Sequence, residues 1–335
     1  MSLLALPTEI NIAIFQLACM DGGYTACSLS LTCRRFFPLA RPLIYQSISV
    51  AGIMQLQALA MHLLRSPKLA RTVRHLFILE MDEHQVDDFQ MRFGDEGATL
   101  SILVNFIFGL VSPYLETLCY LCPLSDYFED CSQMLSRRSW PHLTELTVRG
   151  YAGLYHARTF PSLERFHLYT PGLSHQNTVD GLALLDQTFP RLTHLKITGI
   201  GFNSAFFLDM LGRKWGVTYE SGAHFSVVYP NRRLAQFPPS LQCIAIQMRV
   251  PSERNSVVRR RRHKIMMKKV REWAEAVEEH GLVLHKPMKR EKHYVQAKKD
   301  WLDRLEGGHG GWANESDGRG RRSLRKKAMS GCAVQ

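Results

Sequence analysis

Pro141-His142-Leu143-Thr144-Glu145-Leu146-Thr147-Val148, Pro161-Ser162-Leu163-Glu164-Arg165-Phe166-His167-Leu168 and Pro190-Arg191-Leu192-Thr193-His194-Leu195-Lys196-Ile197 are copies of one pattern. An aromatic residue precedes each proline: Trp140, Phe160 and Phe189. Looser copies start at Pro113, Pro239 and Thr72. Successive side chains of a strand point to opposite faces, so Leu-x-x-Leu-x-Leu sends its leucines into a shared core and turns the residues between them outward. Leu115, Leu143, Leu163 and Leu192 are separated by 28, 20 and 29 residues, the period of a strand plus a returning segment.

The stretches Ala98 to Val111, Thr178 to Gln187 and Ser204 to Leu211 read as helices that supply the return. Proline after an aromatic residue fits the passage from helix to strand, because it ends the first and is tolerated at the start of the second. One such unit cannot bury its own apolar face, so the units must stack. The alternative is an ordinary mixed α/β domain whose strands happen to begin with Phe-Pro. In the stacked register the outward positions are Glu145, Thr147, Arg149, Arg165, His167, Tyr169, His194, Lys196 and Thr198. They predict a polar, partly basic face suited to holding a protein substrate, with arginine and tyrosine as energetic anchors. The plainer reading is a solvated sheet face.

Residues 1–50 form a different unit. Pro7 suits a first helical turn, and Ile10, Ile14, Leu17 and Ala18 recur at helical spacing. Asp21-Gly22-Gly23 is a stop and turn, after which Thr25 can cap a short helix carrying Leu29 and Leu31. Pro38 and Pro42 bracket a segment presenting Phe36, Leu39, Leu43 and Tyr45. Three helices this short cannot enclose so many apolar groups unaided. A partner surface is expected.

These three blocks resemble an F-box, in the form found in the F-box-like families of higher fungi: Leu6-Pro7-x-Glu9-Ile10-x-x-x-Ile14-Phe15, then Asp21-Gly22-x-x-Thr25-x-x-Ser28-Leu29-Ser30-Leu31-x-Cys33-Arg34, then Phe36-x-x-Leu39-Ala40-x-Pro42-Leu43-x-Tyr45-x-Ser47-Ile48. The resemblance implies docking onto the Skp-type adaptor of a cullin-RING ubiquitin ligase through Leu6, Pro7, Ile10, Ile14, Leu29, Leu31, Phe36 and Pro42. The glycine-rich turn departs from the leucine-rich stretch of many members. The later pattern resembles leucine-rich repeats, though Tyr151, Pro171, Ile200 and Arg249 stand where that family carries Asn or Cys. The fold expected is therefore mixed α/β: a three-helix head over 1–50, an irregular leucine-rich-repeat-like solenoid over 51–285, and a basic, partly disordered tail over 286–335.

The net charge of +12 belongs to one end. Residues 1–248 hold 19 basic and 19 acidic residues, and residues 249–335 hold 23 and 11, a difference of 12. Within the second group, residues 254–281 read as a helix closing the stack, with Arg259, Arg260, Arg261, Arg262 and Lys264 at its start. Because cations oppose the dipole at a helix amino terminus, this run is expected to precede the ordered helix. This run and a second one, Arg319 to Lys327, fit an import signal, a nucleic-acid contact helped by Tyr294 and Trp301, or a solvated charge run. Gly307-Gly308-His309-Gly310-Gly311 and its continuation lack periodicity and are expected to be disordered.

The longest apolar run, Ile102 to Val111, is about half the roughly 20 residues needed to span a bilayer. No secretory signal is read at the amino terminus. The eight cysteines are scattered, and Cys119-x-x-Cys122 lacks a second pair at metal-site spacing. A cytoplasmic or nuclear location is expected, without cofactor or metal. No nucleophile elbow, phosphate loop or zinc-protease helix occurs. The expectation is a noncatalytic ligase subunit, with a scaffold or nucleic-acid-associated protein as the alternative.

Overall fold

The repeated pattern becomes the frame of the molecule. The computed structural model describes residues 3–80, 95–122, 134–149, 159–170, 185–200, 237–250, 257–277, 281–289 and 293–312. Its strands are β1 (Ser47–Ala51), β2 (His75–Leu79), β3 (Thr117–Leu121), β4 (Glu145–Arg149), β5 (Arg165–Tyr169), β6 (His194–Ile200), β7 (Cys243–Arg249) and β8 (Leu282–Met288). They form one open, all-parallel sheet in the order β1 to β8. The register aligns Leu76, Leu118, Leu146, Phe166, Leu195, Ile244 and Leu282 in a single inward row.

Each position of the pattern has its own task. The first leucine of each copy, Leu115, Leu143, Leu163, Leu192 or Leu241, is buried beneath the strand's start. The carbonyl of the next residue accepts two N–H groups from the following unit: Thr144 from Glu164 and Arg165 at 2.9 and 3.0 Å, and Glu164 from Thr193 and His194 at 2.9 and 3.0 Å. Gln46, Arg74, Glu116 and Thr193 repeat this clamp. The aromatic residues before the prolines form a buried row, with Phe108 edge-on to Trp140 at 5.3 Å, Trp140 stacked on Phe160 at 6.2 Å, and Phe160 beside Phe189 at 5.5 Å. Such pairs add to the burial of their large surfaces.

The helices are α1 (Thr8–Ala18), α2 (Tyr24–Thr32), α3 (Phe37–Ala40), α4 (Gly52–Arg65), α5 (Asp95–Val111), α6 (Leu185–Thr188), α7 (Val257–Val277) and α8 (His293–Leu305). Side chains of α4, α5, α6 and α7 join the inward strand residues in the main core. Of the three expected return helices, the segment from Ala98 lies in α5. Thr178 to Gln187 enters the described residues only at α6, and Ser204 to Leu211 lies outside them. The first three helices enclose a separate small core of Phe15, Cys19, Ala26, Phe36, Ala40 and Leu43. The N-cap of α2 is Gly23, not Thr25, which lies in the first turn; the Asp21 carboxylate accepts the Thr25 N–H at 3.0 Å and the Thr25 hydroxyl at 2.6 Å.

Three expectations about the C-terminal quarter are corrected. Residues 259–264 lie inside α7, because burial of Met267, Val270, Trp273 and Ala274 anchors that helix on the sheet and outweighs an unfavourable dipole term. The tail boundary at residue 286 falls within β8, and α8 folds onto the sheet's second face. Residues 306–312 are ordered, with Trp312 buried. Glycine there permits a tight wrap: Gly310 and Gly311 have φ of 57° and 71°, and a Cβ on Gly310 would lie 2.0 Å from Arg304. The basic segment Arg319 to Lys327 lies outside the described residues.

Candidate interaction surfaces

Helix α1 places its more apolar stripe in solvent. Asn11, Phe15 and Cys19, each one turn beyond the last, face the small core. Phe15 meets Phe36 edge-on at 5.1 Å. The neighbouring stripe of Ile10, Ile14 and Leu17 is 48%, 36% and 80% exposed. Two turns apart on α2, Tyr24 and Leu31 are 77% and 86% exposed. Leu3, Leu4 and Phe37 also stand out in solvent. Arg35 secures the entry to α1, donating to the carbonyls of Leu4 and Leu6.

Of the residues assigned by resemblance to ligase-adaptor contact, Pro7, Ile10, Ile14, Leu31 and Pro42 are exposed. Leu6 and Leu29 are half-buried. Phe36 is a core residue, which corrects its assignment as a surface contact: its ring fills the gap between α1 and α3. Leu17, Tyr24 and Phe37 are further exposed apolar side chains outside that set, and Leu17 continues the spacing of Ile10 and Ile14.

The sheet face assigned to substrate is present but covered by the chain's own C-terminal segment. Arg149, His167, Tyr169, Lys196 and Thr198 are all buried. Glu145, Thr147, Arg165 and His194 are partly buried. They are brought together under α8 and residues 306–312. Lys196 Nζ donates to the Gly311 carbonyl at 2.9 Å and lies 3.5 Å from Asp300 Oδ2. Arg304 Nε meets Glu145 Oε2 at 3.0 Å, and Trp312 Nε1 donates to the other Glu145 oxygen at 3.4 Å. The Arg149 guanidinium lies over Tyr294 at 4.4 Å, and Trp301 packs beside Phe77 at 5.6 Å while donating to Thr117 Oγ1 at 3.3 Å. Tyr294 and Trp301 are therefore sheet contacts, which corrects their reading as base-stacking groups.

Burial governs the protonation of this layer. It pushes the His167 imidazole well below its ordinary value, and the Lys196 charge adds to the effect. The neutral ring pairs with Thr198 Oγ1 at 2.9 Å, and Thr198 in turn donates to Gln247. Burial also lowers the Lys196 pKa, against the opposing pull of Asp300. His194 is lowered chiefly by burial. These interactions hold a segment in place, and among the described residues no group of three or more His, Cys, Asp or Glu side chains is positioned to bind a metal ion. No described helix is long and apolar enough to cross a membrane.

Two further features lie on and beside α7. Arg260, Arg261, Lys264 and Arg271 are exposed along it. An open cleft of about 280 Å³ between α7 and β8 is lined by Met267, Glu275, Leu284 and His285 among others. Cys119 is buried in β3, which pushes its thiol pKa well up and keeps it protonated. No protein-family model, curated protein or solved structure matches this chain.

Proposed function

We propose that this protein is a noncatalytic adaptor of a cullin-RING ubiquitin ligase. Its F-box-like head docks on the Skp-type adaptor, and its sheet and helices form an irregular leucine-rich-repeat solenoid that presents a protein substrate. The observation that carries this reading is the outward stripe of Ile10, Ile14 and Leu17 on α1, with Leu31 outward on α2. A head that buries Phe15 and leaves Ile10, Ile14 and Leu17 facing water is arranged for a second protein, because exposed apolar surface is most readily accounted for by a partner. The order and spacing of the motif blocks supply the chemistry of that partner. Catalysis of ubiquitin transfer belongs to the ligase, and the adaptor contributes proximity by raising the local concentration of substrate lysines.

The test is a binding titration of the full chain with purified Skp-type adaptor, beside an Ile14→Asp, Leu31→Asp variant. Leu31 is 86% exposed and Ile14 36%, and circular dichroism of the variant checks that it keeps its fold. Burying two such side chains at an interface contributes about 3 kcal/mol or more, roughly a hundredfold in Kd. Specific binding that falls at least that far in the variant supports docking through the head. A folded wild-type chain that does not bind sinks the reading.

The cations along α7 favour a second reading, a scaffold that engages nucleic acid and resides in the nucleus. Nucleic-acid affinity that drops steeply with salt and is unchanged in the head variant would support it.

A further inference from the structure

We infer that the sheet face spanning β2 to β6 is a helix-binding site, occupied in this structure by residues 293–312 and available to a partner's amphipathic helix that displaces them. As an account of substrate capture this rests on the adaptor reading. The site itself rests on the chemistry of the contact.

That contact has the composition of a protein–protein interface. The α8 contact joins a small apolar centre, formed by Phe77, Cys119, Tyr294, Ala297 and Trp301, to a border of charged pairs. Interfaces are enriched in tyrosine, tryptophan and arginine around such a centre. The fit is also incomplete. Among the described residues the Tyr169 and Tyr294 hydroxyls are buried without a hydrogen-bond partner, and a void of about 10 Å³ remains among Thr117, Thr147, His167, Asp300 and Trp312. A buried ion pair such as Lys196 with Asp300 is nearly neutral in net energy but costly to mismatch, so it selects an occupant more than it stabilises the fold.

The occupant's order of groups defines the partner. Tyr294 and Trp301 are seven residues apart, two turns along one face of the helix, with small Ala297 between them. Asp300 adjoins the second aromatic residue and Arg304 follows one turn later. A displacing helix therefore carries two aromatic side chains two turns apart, a small residue between them, and a carboxylate next to the second. Phe77 and Thr117 receive the Trp301 position, Arg149 receives the Tyr294 ring, and Lys196 receives the carboxylate.

The experiment uses the full chain with a protease-cleavage sequence inserted after Lys289, cleaved but not separated, and a fluorescent peptide of residues 293–312 as probe. The peptide is expected to enter the cleaved chain at least tenfold more tightly than the uncleaved chain, whose tethered segment competes. Lys196→Glu in the chain should abolish entry, and an Asp300→Lys peptide should restore it, a charge-swap rescue that general loosening would not produce. Hydrogen exchange on the uncleaved chain supplies a second measurement: amides of 294–305 should exchange at least tenfold faster than those of β4 to β6. Loss of cooperative unfolding after cleavage, absence of peptide entry into a folded cleaved chain, or equal protection of α8 and the strands would each overturn the proposal by making α8 a fixed part of the core. No ligase component is present, so this inference and the docking of the head fail or stand separately.

Discussion

His75 opens β2 from a nearly fully buried position, its Nδ1 3.2 Å from Thr117 Oγ1. Burial, and then the charge of Arg74, lower its pKa from 6.5 to about 4. The unfolded chain therefore binds a proton at this residue in a window where the folded chain does not. The stabilisation is complete above pH 6.5 and is lost as the pH falls toward 4, reaching about 3 kcal/mol. Glu80 acts with the opposite sign: burial raises its carboxyl above the ordinary 4.5, so its contribution is lost as the pH climbs. Urea unfolding at pH 7 and pH 4.5 should show His75→Gln losing less stability on acidification than the unaltered chain, and the difference isolates the histidine. An equal loss in both would exclude this assignment. Gly281 provides a conformational test, since its φ is +90° and an added Cβ would lie 2.1 Å from the Gln242 carbonyl oxygen. Gly281→Ala should cost about 2 kcal/mol or more by straining the entry to β8, read as a shift in the urea midpoint.

On α1, adjacent residues have opposite duties. Ile14 is outward and Phe15 inward, so Phe15→Ala should destabilise the head by about 3 kcal/mol or more. Ile14→Asp, at a position 36% exposed, should cost about 1 kcal/mol, less than Phe15→Ala, while removing the proposed adaptor binding. Differential scanning calorimetry beside the binding titration separates the two, and an Ile14→Asp variant that unfolds early would place that side chain in an internal contact. The helix was legible from its spacing, but the orientation was not. Both Ile10-Ile14-Leu17 and Asn11-Phe15-Cys19 recur at helical intervals, and only the packing of Phe36 selects the second stripe as inward. A comparable contest decides α7, where a basic start argues against helix and a buried apolar stripe argues for it. The apolar stripe prevails because a contribution of several buried side chains exceeds a screened dipole term.

At the scale of the molecule, the aromatic row joins successive units into one cooperative body. Trp140 touches both Phe108 and Phe160 and donates to the Leu135 carbonyl at 2.9 Å. Trp140→Ala should cost about 3 to 5 kcal/mol, measured as a lower urea midpoint in a single transition detected alike by fluorescence and circular dichroism. Two separate transitions would mean that the units unfold independently.

Strand β1 falls at the end of the segment read as the helical head. The sequence alone determined strands β2 to β7, their inward row and the apolar richness of the head, because periods of two and of about 3.6 residues are local properties of side-chain direction. It also marked the aromatic-proline step between units. Only the tertiary structure decided that the outward face of the sheet is covered as well. The nine nominated face residues alternate as an outward set should, yet Lys196 and Arg149 are buried because a helix roughly a hundred residues further on supplies a carboxylate and an aromatic ring. A parallel sheet tends to bury both faces, and nothing in the local pattern of Leu-x-x-Leu-x-Leu names what covers the second. The glycine-rich stretch 307–311 reads as disordered for the same reason: composition reports freedom in the unfolded chain, whereas close approach to Asp300, Asp303 and Arg304 gives Gly308, Gly310 and Gly311 their place in the folded one.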